Sequence, residues 1–153
     1  LLANERFGIA RIGLSKERVA RIRRRARDNG AWDDPLFRAE VIRLEIELKA
    51  LEVTQMQILE RAGRRGNEPD PASSILKLRG SQLQQRASEL LMELEGPEAQ
   101  RAISDVTDPY AKAEEDLAAA AALNNYLNFR KVSIYGGSSE IQKNIVAKTI
   151  LNL

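Results

Sequence analysis

The chain has 153 residues, the length of a single domain with one hydrophobic core. It contains no cysteine and no histidine, so disulfides, thiolate chemistry and a histidine base or metal ligand are excluded. Any acid–base chemistry falls to carboxylates, lysines or tyrosines, and we expect no metal site. No apolar run approaches the ~20 residues of a membrane span and no secretory signal opens the chain, so a cytoplasmic protein without membrane contact is expected. Because the chain starts at Leu1 without methionine, we expect it to be part of a longer protein.

The net charge of +2 is distributed unevenly. Residues 1–27 hold nine arginines and lysines against two glutamates, a local charge of +7. Such a segment is typical of either a nucleic-acid surface or a solvated helix face. Trp32 is the only nearby aromatic residue that could stack on a base. Consecutive arginines also point around a helix rather than along one side, so the sequence favours the solvated face and no nucleic-acid partner.

The first two helices are predicted over 1–28 and 34–64. Ile12, Val19 and Ile22 give the first an apolar side, and Asn29-Gly30 is a typical helix end. Asp34 and Pro35 form a typical start of the second, as cap and first-turn proline. Its apolar positions follow at spacings of three and four, as expected of a bundle helix: Phe37, Val41, Leu44, Leu48, Leu51, Ile58 and Ala62.

Three further helices are predicted over 71–95, 120–135 and 139–152. The first of these has the same periodicity and ends at Gly96. Gly80 in its middle costs roughly 1 kcal/mol relative to alanine, which indicates a close approach of a second helix. Four or five helices with short links and no strand periodicity predict an all-α, antiparallel up-and-down bundle that spans 1–153 as one domain.

The segment from Tyr135 to Leu153, YGGSSEIQKNIVAKTILNL, is the most informative stretch. Gly136 and Gly137 permit a sharp turn, and Ser139 with Gln142 has the spacing of a capping box. Apolar residues at helical spacing then predict a buried helix with an exposed N-terminus, where an anion could bind: Ile141, Ile145, Val146, Ile150 and Leu151. The alternative is that the glycines only end one helix and Ser138 or Ser139 caps the next.

The stretch IYGGSSEIQKNIVAKTIL resembles the C-terminal signature of the acyl-CoA dehydrogenases, flavoenzymes that desaturate acyl-CoA thioesters at the α,β position. The resemblance implies the C-terminal domain of a longer chain, carrying part of an FAD and substrate site. It further implies an enzyme of fatty acid metabolism with an acyl-CoA substrate, an electron-transfer acceptor protein, and a homodimer or homotetramer. The isolated domain would be inactive. A catalytically silent helical oligomerisation module of such a flavoprotein is the alternative.

By the same resemblance, Ser138 and Glu140 fall where flavin-contacting residues lie, and Gly137 falls at the substrate glycine. Many family members carry a catalytic glutamate where this chain has Gly136, which cannot move a proton. The isovaleryl-CoA dehydrogenase subgroup keeps its base on the first helix of the domain instead, in a Leu-x-x-Glu-Arg-like stretch. Residues 2–6, LANER, resemble that stretch and make Glu5 the candidate base. The alternative for Glu5 is a first-turn glutamate paired with a surface arginine.

Two segments depart from the family pattern. An Arg-x-x-Phe-Gly segment that contacts the partner subunit's flavin is replaced by residues 27–31, RDNGA, without the phenylalanine. A Gln-x-x-Gly-Gly segment that contacts the partner's FAD has its nearest match in residues 93–97, ELEGP. Gly96 fits the first glycine of that segment. Glu93 replaces the glutamine and is expected to face ribose hydroxyls rather than a phosphate.

Overall fold

A computed structural model describes residue 8 and residues 10–65, 70–97 and 115–153 of the chain. Five α-helices lie in these ranges: α1 (Ile12–Asp28), α2 (Pro35–Arg65), α3 (Ser73–Glu95), α4 (Glu115–Phe129) and α5 (Ser139–Thr149). Short 3₁₀ helices cover Ala31–Asp33 and Arg130–Ser133. The described ranges contain no strand, which confirms the all-α bundle.

Helix α3 is the centre of the bundle, because it contacts each of the other four helices. Ion pairs between helices fix their directions. Lys16 pairs with Glu52 at 2.6 Å and Arg23 with Glu45 at 3.2 Å, so α1 and α2 are antiparallel.

The α2–α3 and α1–α3 pairs run in different senses. Arg79 pairs with Glu47 at 2.6 Å and Arg86 with Glu40 at 3.2 Å, which makes α2 and α3 antiparallel. Arg25 of α1 pairs with Glu95 near the end of α3 at 2.5 Å, and both residues lie near the C-terminal ends of their helices. Helices α1 and α3 are therefore parallel.

The core lies between α1, α2 and α3. Most of the apolar residues predicted at spacings of three and four on α2 and α3 are buried there, including Val41, Leu48, Leu76 and Leu90, while Phe37 and Ala62 are partly buried. Gly80 is also buried, and a Cβ atom on it would lie only 2.7 Å from the Cα of Ala10. The predicted close helix approach at Gly80 is thus confirmed.

The helix starts and ends follow the predicted signals in most places. The Oδ1 of Asp34 accepts a hydrogen bond from the N–H of Leu36 at 2.8 Å, as expected of a cap. Gly30 and Gly96, just beyond α1 and α3, have positive φ angles of 83° and 68°. Both are conformations that glycine adopts at low cost.

The prediction of one continuous helix over 1–28 is wrong. Arg11 has φ 43° and ψ 44°, a left-handed conformation that interrupts the helix between Ala10 and Ile12. No glycine or proline occupies position 11, so the sequence gives no signal for this break. Residues 1–7 and residue 9 lie outside the described residues.

The C-terminal helices also differ from their predicted bounds. Helix α4 begins at residue 115 instead of 120 and gives way to the 3₁₀ helix at 130, while α5 ends at 149 instead of 152. The expectation that α5 is a buried helix is wrong for the single chain: Ile141 in the helix is 51% exposed, and Leu151 just beyond its end is 59% exposed. Only Gln142 of α5 is buried.

Candidate functional site: the glycine turn

The link between the 3₁₀ helix and α5 is a tight turn over residues 134–138, called here the glycine turn. Gly136 and Gly137 have φ angles of 68° and 92°, which residues with a side chain rarely adopt. Ser138 follows in an extended conformation and is the N-cap residue of α5. Two consecutive glycines are therefore required for the backbone path itself.

Gln142 holds this turn from the α5 side. Its Nε2 donates to the carbonyl oxygens of Gly136 at 3.3 Å and Gly137 at 3.2 Å, and its side chain is fully buried. A Cβ atom on Gly137 would lie 2.5 Å from that Nε2. The predicted capping box of Ser139 and Gln142 is therefore wrong, because the Gln142 amide donates to the turn's carbonyls and Ser138 occupies the N-cap position, without a side-chain capping bond.

Lys77 holds the turn from α3. Its Nζ donates to the carbonyl oxygen of Ser133 at 3.1 Å, and the hydroxyl of Ser139 donates to the same oxygen at 3.3 Å. The Lys77 side chain is fully buried. Burial lowers its pKa below the usual lysine value, and the negative charge of Glu140 partly opposes that shift.

The N–H groups of the turn differ from its carbonyls in their hydrogen-bond partners. The N–H groups of Ile134 and Tyr135 donate to the carbonyl oxygen of Lys131. Those of Gly136, Gly137 and Ser138 find no acceptor among the residues that the structure describes. The turn therefore uses its carbonyls internally and leaves three consecutive N–H donors for solvent or a ligand.

Glu140 occupies the first turn of α5 and is exposed. Its pKa is lowered, first by a hydrogen bond from its own backbone N–H, then by the Ser138 hydroxyl and the charges of Lys143 and Lys77. An ionised carboxylate thus lies at the positive end of the α5 dipole. This makes the helix N-terminus a poor phosphate site, contrary to what the glycine–serine pattern suggested, and a better one for hydroxyl or amide groups.

Glu93 and Gly96 lie at the other end of α3, about 24 Å from Lys77 at a rise of 1.5 Å per residue. They line a cavity of about 650 Å³ together with Glu89, Met92, Pro97 and Tyr126. Glu93 pairs with Arg86 at 3.1 Å. The structure therefore brings Gly137, Ser138 and Glu140 together at one end of the bundle and places Glu93 and Gly96 at a separate site.

The N-terminal side of α1 lies at the same end of the bundle as the glycine turn. Ala10 packs on Gly80 of α3. Gly80 lies less than one helical turn after Lys77, and the Nζ of Lys77 donates to the carbonyl oxygen of Ser133, just before the glycine turn. Glu5, the candidate base, lies outside the described residues.

The sequence interpretation missed Lys77 and Gln142. Lys77 belongs to a second stripe on α3 at spacings of four and three, and every member of it is buried: Ser74, Lys77, Ser81, Gln84 and Ser88. The spacing of small polar residues around one lysine is visible in the sequence. It is the signal that could have identified a polar helix face buried against the C-terminal segment.

Comparisons with known proteins agree with this fold. A model of the family described as "Acyl-CoA dehydrogenase, C-terminal domain" matches residues 1–151. The chain belongs to the acyl-CoA dehydrogenase family. No curated protein matches the sequence.

Two solved structures resemble this acyl-CoA dehydrogenase domain. The "Tcur3481-Tcur3483 steroid ACAD G363A variant" has a TM-score of 0.79 and 19% identity, and the "Tcur3481-Tcur3483 steroid ACAD" has a TM-score of 0.69 and 21% identity. In each case the match covers 99% of this chain and 38% of the solved chain. At these identities the likeness concerns the fold. The domain thus spans well under half the length of the proteins it resembles.

Within the described parts of this acyl-CoA dehydrogenase domain, no group of three or more acidic side chains could hold a metal ion. No helix in those parts is long and apolar enough to cross a membrane. The arginine run is partly engaged inside the domain: Arg23 and Arg25 form ion pairs with α2 and α3, and Arg27 stacks on Trp32.

Proposed function

We propose that this domain is the C-terminal part of an FAD-dependent acyl-CoA dehydrogenase that desaturates acyl-CoA thioesters at the α,β position. The observation that carries the proposal is the glycine turn: the carbonyls of Gly136 and Gly137 are bonded inward, and the N–H groups of Gly136, Gly137 and Ser138 have no acceptor among the described residues. Fixed N–H donors are the groups that stabilise the oxyanion of a thioester when its α-proton is removed.

The residues fit part of an FAD molecule. The exposed Glu140 carboxylate and the Ser138 hydroxyl can accept from and donate to the hydroxyl and amino groups of a nucleotide. The same carboxylate disfavours the phosphates. Bound FAD would supply the acceptor for the two electrons of the desaturation. Glu93 and Gly96, at the far end of α3, are proposed to contact the FAD of a partner subunit.

The chain's own residues would perform two tasks. Glu5 is proposed to remove the α-proton, since Gly136 has no ionisable group and histidine and cysteine are absent. Gly137 would donate its N–H to the thioester oxygen as negative charge develops there. Ala10, which follows Glu5 by five positions in the sequence, lies at the glycine-turn end of the bundle, and Glu5 itself is outside the described residues.

A second candidate is a catalytically silent domain that assembles with an active partner chain. Gly136 at the position of the usual glutamate favours it. The engagement of Glu93 with Arg86 also favours it, because that carboxylate replaces a flavin-contacting glutamine.

The substitution Glu5→Gln in the full-length protein separates the two candidates. It retains size and hydrogen bonding but cannot accept a proton, so flavin reduction by acyl-CoA should fall at least ~10²-fold while FAD stays bound. The matched control is Glu17→Gln at an exposed glutamate of α1, which should leave the rate unchanged. An unchanged rate of flavin reduction in Glu5→Gln would show that Glu5 is not the base. An unsubstituted protein that binds FAD but is reduced by no acyl-CoA would favour the silent domain.

A further inference from the structure

Lys77 is an unusual residue for the interior of a helical bundle. Its side chain is fully buried, yet its ammonium group has three N–H donors and, among the described residues, one hydrogen-bonded partner, the Ser133 carbonyl. No ion pair joins its Nζ to a carboxylate of the described residues, and Glu140 acts on it only through its charge at longer range. A buried charge with so few partners lowers stability, so packing alone does not account for a lysine here.

The partner of Lys77 is the residue that leads into the glycine turn. Ser133 ends the 3₁₀ helix, and its carbonyl accepts from both Lys77 on α3 and Ser139 on α5. Gln142 donates to the carbonyls of Gly136 and Gly137 within the turn. Donors from two different helices therefore hold two carbonyls of the turn and the carbonyl of the residue just before it.

We propose that Lys77 is a positioning residue for the glycine turn: by holding the Ser133 carbonyl against α3, it sets the direction of the N–H groups of Gly136 to Ser138. This inference rests on the proposed function for its catalytic meaning. Gln142 and Ser139 belong to α5 and can only fix the turn relative to that helix. Lys77 is the member of the set that ties the turn to the core helix, where Ala10 also packs. A displacement of about 1 Å at such a site is enough to lower a rate ~10²-fold.

The test compares Lys77→Met and Lys77→Arg with Lys131→Met in the full-length protein. Methionine fills a similar volume without a donor, arginine keeps a donor, and Lys131 is an exposed lysine on the 3₁₀ helix beside the turn. Three properties are measured: amide hydrogen exchange of peptides over 131–142 and over α1 and α2, retention of FAD, and kcat and KM with acyl-CoA.

In Lys77→Met, exchange over 131–142 should rise at least ~10-fold while α1 and α2 stay protected. Its kcat should fall ~10- to 100-fold with FAD retained. Lys77→Arg should recover part of both effects, and Lys131→Met should match the unsubstituted protein.

Two outcomes would overturn the inference. One is unchanged exchange over 131–142 in Lys77→Met. The other is loss of protection throughout the bundle in both Lys77 variants, which would assign Lys77 to general packing. If the unsubstituted protein is reduced by no acyl-CoA, the proposed function fails, but the exchange measurement still decides whether Lys77 positions the turn.

Discussion

The α1–α3 region and the C-terminal segment 115–153 are held together by different kinds of contact. Of the buried apolar side chains among the described residues, only Ala122 and Val132 belong to the C-terminal segment, and the others lie between Ala10 and Leu94. The C-terminal segment is attached by polar side chains that donate to backbone carbonyls. Besides the Lys77 contact, Gln85 donates to the carbonyls of Phe129 and Arg130, both at 3.2 Å.

Arg130 makes the same kind of attachment in the opposite direction. It donates to the Gln85 carbonyl at 3.2 Å and to the Ser88 hydroxyl at 3.0 Å, and it pairs with Glu89 at 2.8 Å. Hydrophobic packing is non-directional and stabilises a fold without defining fine geometry. Hydrogen bonds to carbonyls are directional, so they define a backbone path. The difference indicates that packing among α1–α3 contributes most of the stability of the fold, whereas the hydrogen bonds of the C-terminal segment define the path of its backbone.

The largest expected difference is in the free energy of unfolding, between a substitution in the core and a substitution on α5. Leu76→Ala should lower the free energy of unfolding by about 2–5 kcal/mol, since Leu76 is fully buried and its removal leaves a cavity. Ile141→Ala should change it by less than about 0.5 kcal/mol, because Ile141 is half exposed. Urea unfolding of both variants measures the contrast. Equal losses would mean that α5 is covered by a partner and that the two regions do not differ in this way.

A smaller contrast distinguishes two helical glycines within the stable region. Gly80→Ala should lower the free energy of unfolding by about 1 kcal/mol, because overpacking against the Ala10 backbone outweighs the gain in helix propensity. Gly13→Ala is the control: nothing lies within 4 Å of its added Cβ, so it should stabilise by about 0.5 kcal/mol. Thermal unfolding gives both signs. A stabilised Gly80→Ala variant would disprove the close approach.

The smallest expected effect is a pH dependence at the rim of the α1–α2 pair. Hydrogen bonds from Lys16 and then Lys49 lower the pKa of Glu52 to about 2. A carboxyl with a depressed pKa in the folded state contributes stability above its unfolded value of 4.5, and the contribution is lost as pH falls towards 2. The urea concentration at the unfolding midpoint should therefore fall less steeply as pH is lowered in Glu52→Gln than in the unsubstituted protein. Glu17→Gln should retain the original slope, and identical slopes for all three would refute the effect.

The stable region was predictable because its sequence signals are redundant. On α2 and α3 the apolar spacing, the Asp34 cap and the glycine ends all indicate the same helices, and each residue of the predicted core has a partner within the chain. Even the role of Gly80 followed from the cost of glycine inside a helix. The break at Arg11 could not be predicted, since a left-handed arginine depends on tertiary contacts rather than on its own preference.

The site was predictable only in outline. The family resemblance assigned site roles to Gly137, Ser138 and Glu140, which lie in the glycine turn and in the first turn of α5, and those roles remain predictions. The resemblance did not indicate which side chains hold the turn. A glutamine at position 142 is compatible both with a capping box and with hydrogen bonds to the carbonyls of the preceding glycines. The periodicity of Ile141 and Leu151 predicts an apolar face but not whether this chain covers it, and here it does not.

Helix α3 contacts the other four helices, and several of its buried side chains are small. Gly80, Ala87 and the buried serines at 73, 74, 81 and 88 leave little room between its backbone and its neighbours. An enlarging substitution at any of these positions must displace a neighbouring helix. Substitutions in relatives of this domain should therefore accumulate on the outer face of α2 and on α5, and should be rarer at the small buried positions of α3.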